Sequence, residues 1–166
     1  MQSTLAQISA MTRGDLDAVL AIERGAFGSP HAARIFSEEL DREWAYIDLI
    51  HDGDELVGYC NYWLVRDEVH LLNIATHSEA RRRGFAVKLL SHLVGFARAR
   101  ACRYITLEVR RTNRGAIDLY RRFGFEAVGV RPKYYVEDNE DAVVMLLELT
   151  AQVCAQPEAG SKTARP

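Results

Sequence analysis

The sequence predicts a mixed α/β layer: one sheet of about seven strands, with about four helices distributed over both faces. Three observations carry this. Segments that alternate apolar and polar side chains are separated by segments with helical apolar spacing. The elements follow in the order β-α-α-β-β-β-α-β-α-β-β, which interleaves the two types instead of segregating them. A chain of 166 residues, 48% hydrophobic and 27% charged, suits one core of ordinary globular composition.

Taken in order, a short strand is expected around Leu5 to Ile8. Thr12, with Asp15 near the first turn, caps a helix carrying Leu16, Val19, Leu20 and Phe27. Gly28-Ser29-Pro30 breaks that helix, and a second covers Ala32 to Leu40. Trp44 to Ile50 and Leu56 to Val65 are strands joined by a hairpin turn at Asp52-Gly53-Asp54. Asp67-Glu68 turns the chain into a strand that ends at Thr76, with Val69, Leu71 and Ile74 on one face and Leu72 on the other. The following helix buries Leu89, Leu90, Leu93, Val94 and Ala97. Tyr104 to Val109 is a strand, and Asn113 to Phe123 a helix closed by Gly124. Phe125 to Val130 and Ala142 to Leu149 complete the sheet. Residues 1–150 thus form one domain, and 151–166 read as a disordered tail.

The most informative stretch lies between the strand ending at Thr76 and the long helix. There Arg81-Arg82-Arg83-Gly84-Phe85-Ala86 leads into a helix N-terminus. Unpaired backbone N–H groups and the positive end of the helix dipole meet at such a place. Gly84 lets a ligand approach the backbone closely, since it has no Cβ. Those are the needs of a pyrophosphate site, although an ordinary strand-to-helix turn with a basic surface has the same outline.

Composition narrows the function classes. No apolar run approaches the ~20 residues needed to span a bilayer, and Met1 to Met11 lacks a signal-peptide pattern. Cys60, Cys102 and Cys154 are odd in number and far apart, which argues against a disulfide framework or zinc site and for the reducing cytoplasm. Residues 1–80 hold 14 acids and 5 Lys/Arg, whereas residues 81–133 hold 14 Lys/Arg and 3 acids. The basic half suits a phosphorylated ligand. Without a zinc-finger, RRM or basic-zipper pattern, direct nucleic-acid binding is not expected.

These residues resemble the GNAT superfamily of acetyl-coenzyme A-dependent N-acetyltransferases, whose loop reads Q/R-x-x-G-x-G/A. Arg81 to Ala86 fits it with Ala in the last place. A stronger match is the run Leu107-Glu108-Val109-Arg110, Thr112-Asn113, Ala116, Leu119-Tyr120, Gly124-Phe125, Arg131, Tyr134-Tyr135 and Glu140-Asp141-Ala142 with Met145. That series is similar to the bacterial ribosomal-protein-alanine N-acetyltransferase branch, as are Asp67-Glu68 and Leu72-Asn73-Ile74-Ala75. The resemblance implies the GNAT fold, an α/β domain with a mixed, mostly antiparallel central sheet. It implies acetyl-CoA as co-substrate and no metal, held by Ile74, Ala75, Thr76, Arg82, Arg83, Gly84, Phe85, Ala86, Val87 and Asn113. It marks Glu108 as general base and Tyr120 as general acid. It also implies a protein acceptor, the N-terminal segment of a small-subunit ribosomal protein. The chain departs from the branch at Phe27-Gly28-Ser29-Pro30-His31, where the branch commonly has an aromatic-proline-tryptophan segment that shapes the acceptor pocket. Thr76 and His77 also depart from its usual sequence, where backbone groups hold the cofactor.

Acetyl transfer to an amine needs a neutral nitrogen and a proton for the departing thiolate. An α-amino group, with a pKa of about 7.7–8.0, is roughly one-tenth neutral at pH 7; a lysine is neutral about once in 2,500 molecules. One carboxylate therefore completes the task more readily for a chain terminus. A tyrosine, with an ordinary pKa of about 10, is a ready donor at neutral pH. By spacing alone Glu108 could be an exposed strand residue, Tyr120 a core residue, and Asn113 only a helix cap. His31, His51, His70, His77 and His92 show no ligand spacing, and His70 reads as a surface residue. No cysteine or serine has a partnered-nucleophile arrangement, which favours direct transfer in a ternary complex. Three readings stay open: an N-terminal protein acetyltransferase, a GNAT enzyme acting on a lysine or small amine, and a non-catalytic acetyl-CoA-binding module.

Overall fold

The computed structural model describes residues 5–150. Within them the chain runs β1 (Gln7–Ala10), α1 (Leu16–Ala26), α2 (Ala32–Glu39), β2 (Ala45–Asp52), β3 (Glu55–Val65), β4 (Glu68–Thr76), α3 (Phe85–Ala99), β5 (Tyr104–Arg110), α4 (Arg114–Arg122), β6 (Glu126–Tyr135) and β7 (Glu140–Glu148). This is the expected element order. The sheet order is β1-β2-β3-β4-β5-β7-β6, and every pairing is antiparallel except β4 with β5. The expected tail, 151–166, lies outside the described residues.

Each sheet face carries its own core. Leu89, Leu90, Leu93, Val94 and Ala97 of α3 are buried with Ile105, Leu107 and Val109 of β5 and with Ile117 and Tyr120 of α4. Val19 and Ile22 of α1 and Phe36 of α2 pack with Ile47, Leu49 and Tyr59 on the other face. Each fully buried side chain of this kind contributes on the order of 2 kcal/mol. The start of the first helical segment follows the sequence reading, because the Thr12 amide and hydroxyl both donate to Asp15 at 2.8 Å. Those bonds hold the Asp15 carboxyl below its ordinary value.

Four local expectations change. The first strand starts at Gln7, leaving Leu5 82% exposed outside it. The turn after β3 is Arg66-Asp67, with Arg66 at φ 57°, and Glu68 already belongs to β4. Phe27 lies past the end of α1 and is 51% exposed instead of packing in its core. The sixth strand continues through Pro132 to Tyr135 instead of stopping at Val130. It tolerates a proline because it is an edge strand, where no ladder donor is lost on the open side.

Two features of β4 open the sheet. Asn61 faces Asn73 while Tyr62 faces Leu71, so Leu72 is an extra, bulged residue. The bulge explains how Leu71 and Ile74, three residues apart, both pack toward the α3 core. Pairing between the parallel strands runs only from Glu68–Tyr104 to Leu71–Leu107. Beyond it β4 stays with β3 and β5 stays with β7, so the two strands part at their C-terminal ends. In open α/β sheets this is where ligands enter.

Candidate active site

A cavity of about 900 Å³ occupies the opening between β4 and β5. It extends from Thr76, Arg81 and Ala86, past Asn113 and Ala116, to Glu108 and Tyr120, and on to Phe27 and Tyr134. One continuous space therefore joins the Gly-containing loop to both expected catalytic residues.

Strand alternation aims Glu108. Ile105, Leu107 and Val109 fill the α3 side, which turns Glu108 to the opposite face. Its side chain is 10% exposed. Nε2 of His70 stands 2.6 Å from one carboxylate oxygen, and the Arg131 guanidinium 3.3 Å from the other. Next along the strand, Arg110 pairs with Asp138 at 2.5 Å and Glu140 at 3.1 Å. Glu140 also accepts bonds from the Thr112 hydroxyl and amide, which hold its carboxyl below the ordinary range and fix the turn before α4.

Tyr120 is held by the end of its helix. Gly124, at φ 94°, lets its own N–H reach the Arg121 carbonyl and the Phe125 N–H reach the Tyr120 carbonyl. These two bonds are the Schellman closure, and its usual hydrophobic contact is present as the Tyr120 and Phe125 rings, 5.6 Å apart. Burial pushes the Tyr120 phenol well above its ordinary value, so it remains protonated at neutral pH. At the other end of α4, the Asn113 side-chain oxygen accepts from the Ala116 amide at 3.2 Å. Asn113 is therefore a cap that also lines the cavity.

At the loop, Gly84 takes the left-handed conformation, φ 84° and ψ 8°, and α3 begins at Phe85. Arg82 is also left-handed, at φ 60°. A Cβ at Gly84 would meet no protein atom within 4 Å. Ile74, Ala75, Thr76 and Ala86 line the cavity; Arg82, Arg83, Gly84, Phe85 and Val87 do not, and Phe85 is buried in the α3 core. Arg83 is engaged with Asp52 at 2.6 Å.

The structure adds residues that the sequence reading passed over. His70 is not a mere surface residue, because the parallel register sets it beside Thr106 and so next to Glu108 on the same face. Glu23 is buried and accepts the Ser29 amide at 3.1 Å, tying the loop between α1 and α2 to α1. Buried Glu39 accepts the Trp63 indole N–H at 2.5 Å and pairs with Arg42 at 2.8 Å. The acids of residues 1–80 are more neutralised than the raw count suggested, since Glu38, Glu39, Asp41, Asp52 and Asp67 all have arginine partners. Cys60 is fully enclosed and burial pushes its thiol far up, leaving no thiolate there. Among the described residues no three His, Cys, Asp or Glu side chains cluster as metal ligands, and no helix is long and apolar enough to cross a membrane.

Comparison with known proteins agrees with this fold. The profile of the acetyltransferase (GNAT) family matches residues 16–125. The chain is 32% identical over 145 residues to the [ribosomal protein bS18]-alanine N-acetyltransferase of Salmonella typhimurium, covering 86% of this chain and 97% of that one. The crystal structure of the ribosomal-protein-S18-alanine N-acetyltransferase from Escherichia coli superposes with a TM-score of 0.81 at 28% identity, over 95% of this chain and 100% of that chain. Arabidopsis thaliana NAA60, solved with acetyl-CoA, shares the fold at a TM-score of 0.78 and 19% identity, over 87% of this chain and 99% of that chain.

Proposed function

Since the chain belongs to the GNAT acetyltransferase family and is an acetyl-CoA-dependent N-acetyltransferase, we propose that it acetylates the N-terminal alanine of a small-subunit ribosomal protein by direct transfer, with Glu108 as general base and Tyr120 as general acid. The observation that carries this reading is the single cavity holding both groups: an almost enclosed carboxylate and a protonated phenol. The names of the relatives support the acceptor. Glu108 takes a proton from the α-ammonium, and the neutral nitrogen attacks the thioester carbonyl. The C–S bond then breaks as Tyr120 gives its proton to the leaving sulfur. The phenol recovers a proton from the amine nitrogen, so each turnover from an ammonium releases one proton.

The loop would hold the pyrophosphate on the backbone N–H groups of Arg82 to Val87, with the acetyl end beside Ile74 to Thr76. The fit rests on the helix start, the open approach over Gly84 and the strand edge left without a partner beyond Leu71. Unpaired backbone groups on that edge suit the amides of the pantetheine arm. Gly84→Val should weaken acetyl-CoA binding tenfold or more in calorimetry, because its side chain occupies the approach. The left-handed φ adds a strain of about 1–2 kcal/mol, so circular dichroism should first confirm a folded variant. Parental affinity in a folded variant removes the loop assignment.

The acceptor would enter past Phe27 and Tyr134, where Glu137 also lines the cavity. A basic residue after the alanine is favoured there, and screening at physiological salt shortens such attraction to about 8 Å. The test compares Ala-Arg and Ala-Glu N-terminal peptides by kcat/KM. Ala-Arg should be preferred at low salt, with the preference shrinking as salt rises. Equal rates at low salt contradict the charge argument.

A further inference from the structure

We propose that His70 is a positioning residue for the transfer step, holding one oxygen of Glu108 so that the other faces the acceptor amine. The proposal rests on the reading of Glu108 as the base. Backbone pairing between β4 and β5 ends at Leu71–Leu107, so Glu108 is the first β5 residue without a β4 partner. At that level the His70–Glu108 contact, 2.6 Å long, ties the two strands through side chains. It takes over where the ladder stops. His70 is itself held: it faces Trp63 in the β3–β4 register, with the rings edge to face at 6.1 Å. The Trp63 indole N–H is fixed by buried Glu39, which Arg42 clamps. A chain of contacts thus runs from α2 across β3 and β4 to the base on β5.

The two carboxylate oxygens of Glu108 are not equivalent. Oε2 meets His70, 32% exposed, whereas among the described residues Oε1 meets only the outlying Arg131, 58% exposed and 3.3 Å away. Oε1 is therefore the oxygen free to exchange Arg131 for the amine proton. The other titratable groups facing this carboxylate are Tyr134 and Tyr135 of β6, both raised by burial and protonated at neutral pH.

The test is a double-mutant cycle in the full-length protein, with acetyl-CoA and an alanine-initiated peptide. His70→Ala should lower kcat about tenfold or more while KM for acetyl-CoA changes less than twofold, because one bond to a charged group is lost. His70→Gln, which keeps a neutral N–H donor, should recover most of that loss. In a Glu108→Gln background, His70→Ala should add little, because the two act as a unit. Should His70→Ala not fold, His70→Leu keeps the bulk and removes the donor. An equal fold-loss in both backgrounds, or a parental kcat for the folded His70 variants, overturns the proposal. An impaired Glu108→Gln with unimpaired His70 variants removes His70 alone. A Glu108→Gln enzyme at parental rate removes the base itself, and His70 with it.

Discussion

Glu108→Gln is expected to lower kcat by on the order of 10²-fold or more, since general-base contributions are typically 10²–10⁴. The substitution is nearly isosteric and leaves a carbonyl oxygen that can still accept from His70. What disappears is the ability to hold the amine proton. Affinity for acetyl-CoA should stay within about twofold in calorimetry, because the loop around Gly84 and the end of β4 are untouched. The peptide must also be tested at high pH, where more of the α-amine is already neutral; the deficit should narrow there. A parental rate at neutral pH would mean that another group, or solvent, takes the proton.

Tyr120→Phe is the second large effect, a fall in kcat on the order of 10²-fold. The ring stays in place against Phe125, and the helix closure at Gly124 uses only backbone groups. Thermal stability should therefore be close to parental, which separates loss of the hydroxyl from loss of the fold. A thiolate whose thiol has a pKa of about 8.5 leaves poorly without a proton at neutral pH. An acyl donor with a more acidic thiol should then be less sensitive to Tyr120→Phe than acetyl-CoA. Equal sensitivity of the two donors would contradict the role as acid.

Much of this architecture was legible in the chain because each element carried a local signal. The helical spacing of Leu89, Leu90, Leu93, Val94 and Ala97, the caps at Thr12 and Asn113, and the helix-closing Gly124 all appear where the residues place them. What stayed hidden depends on register between distant strands. The bulge at Leu72 leaves no compositional mark, yet it sets where the sheet opens. The contact between His70 and Glu108 spans 38 residues and exists only because β4 and β5 pair in parallel through Leu71 and Leu107. The continuation of β6 past Pro132 was masked by a residue that argues against a strand anywhere but an edge. Phe27 fitted a helical stripe but sits one residue past the helix, where it lines the cavity.

The central claim is that the acetyl group goes to the α-nitrogen of an alanine-initiated protein chain. Tandem mass spectrometry tests it most directly, applied to a mixture of two peptides incubated with the enzyme and acetyl-CoA. One peptide begins Ala-Arg and contains an internal lysine; the other is the same peptide with its N-terminus blocked. The account predicts acetylation of the alanine nitrogen in the first peptide and none in the second. Acetyl-lysine forming at similar rates in both peptides would contradict it and identify a lysine acetyltransferase instead.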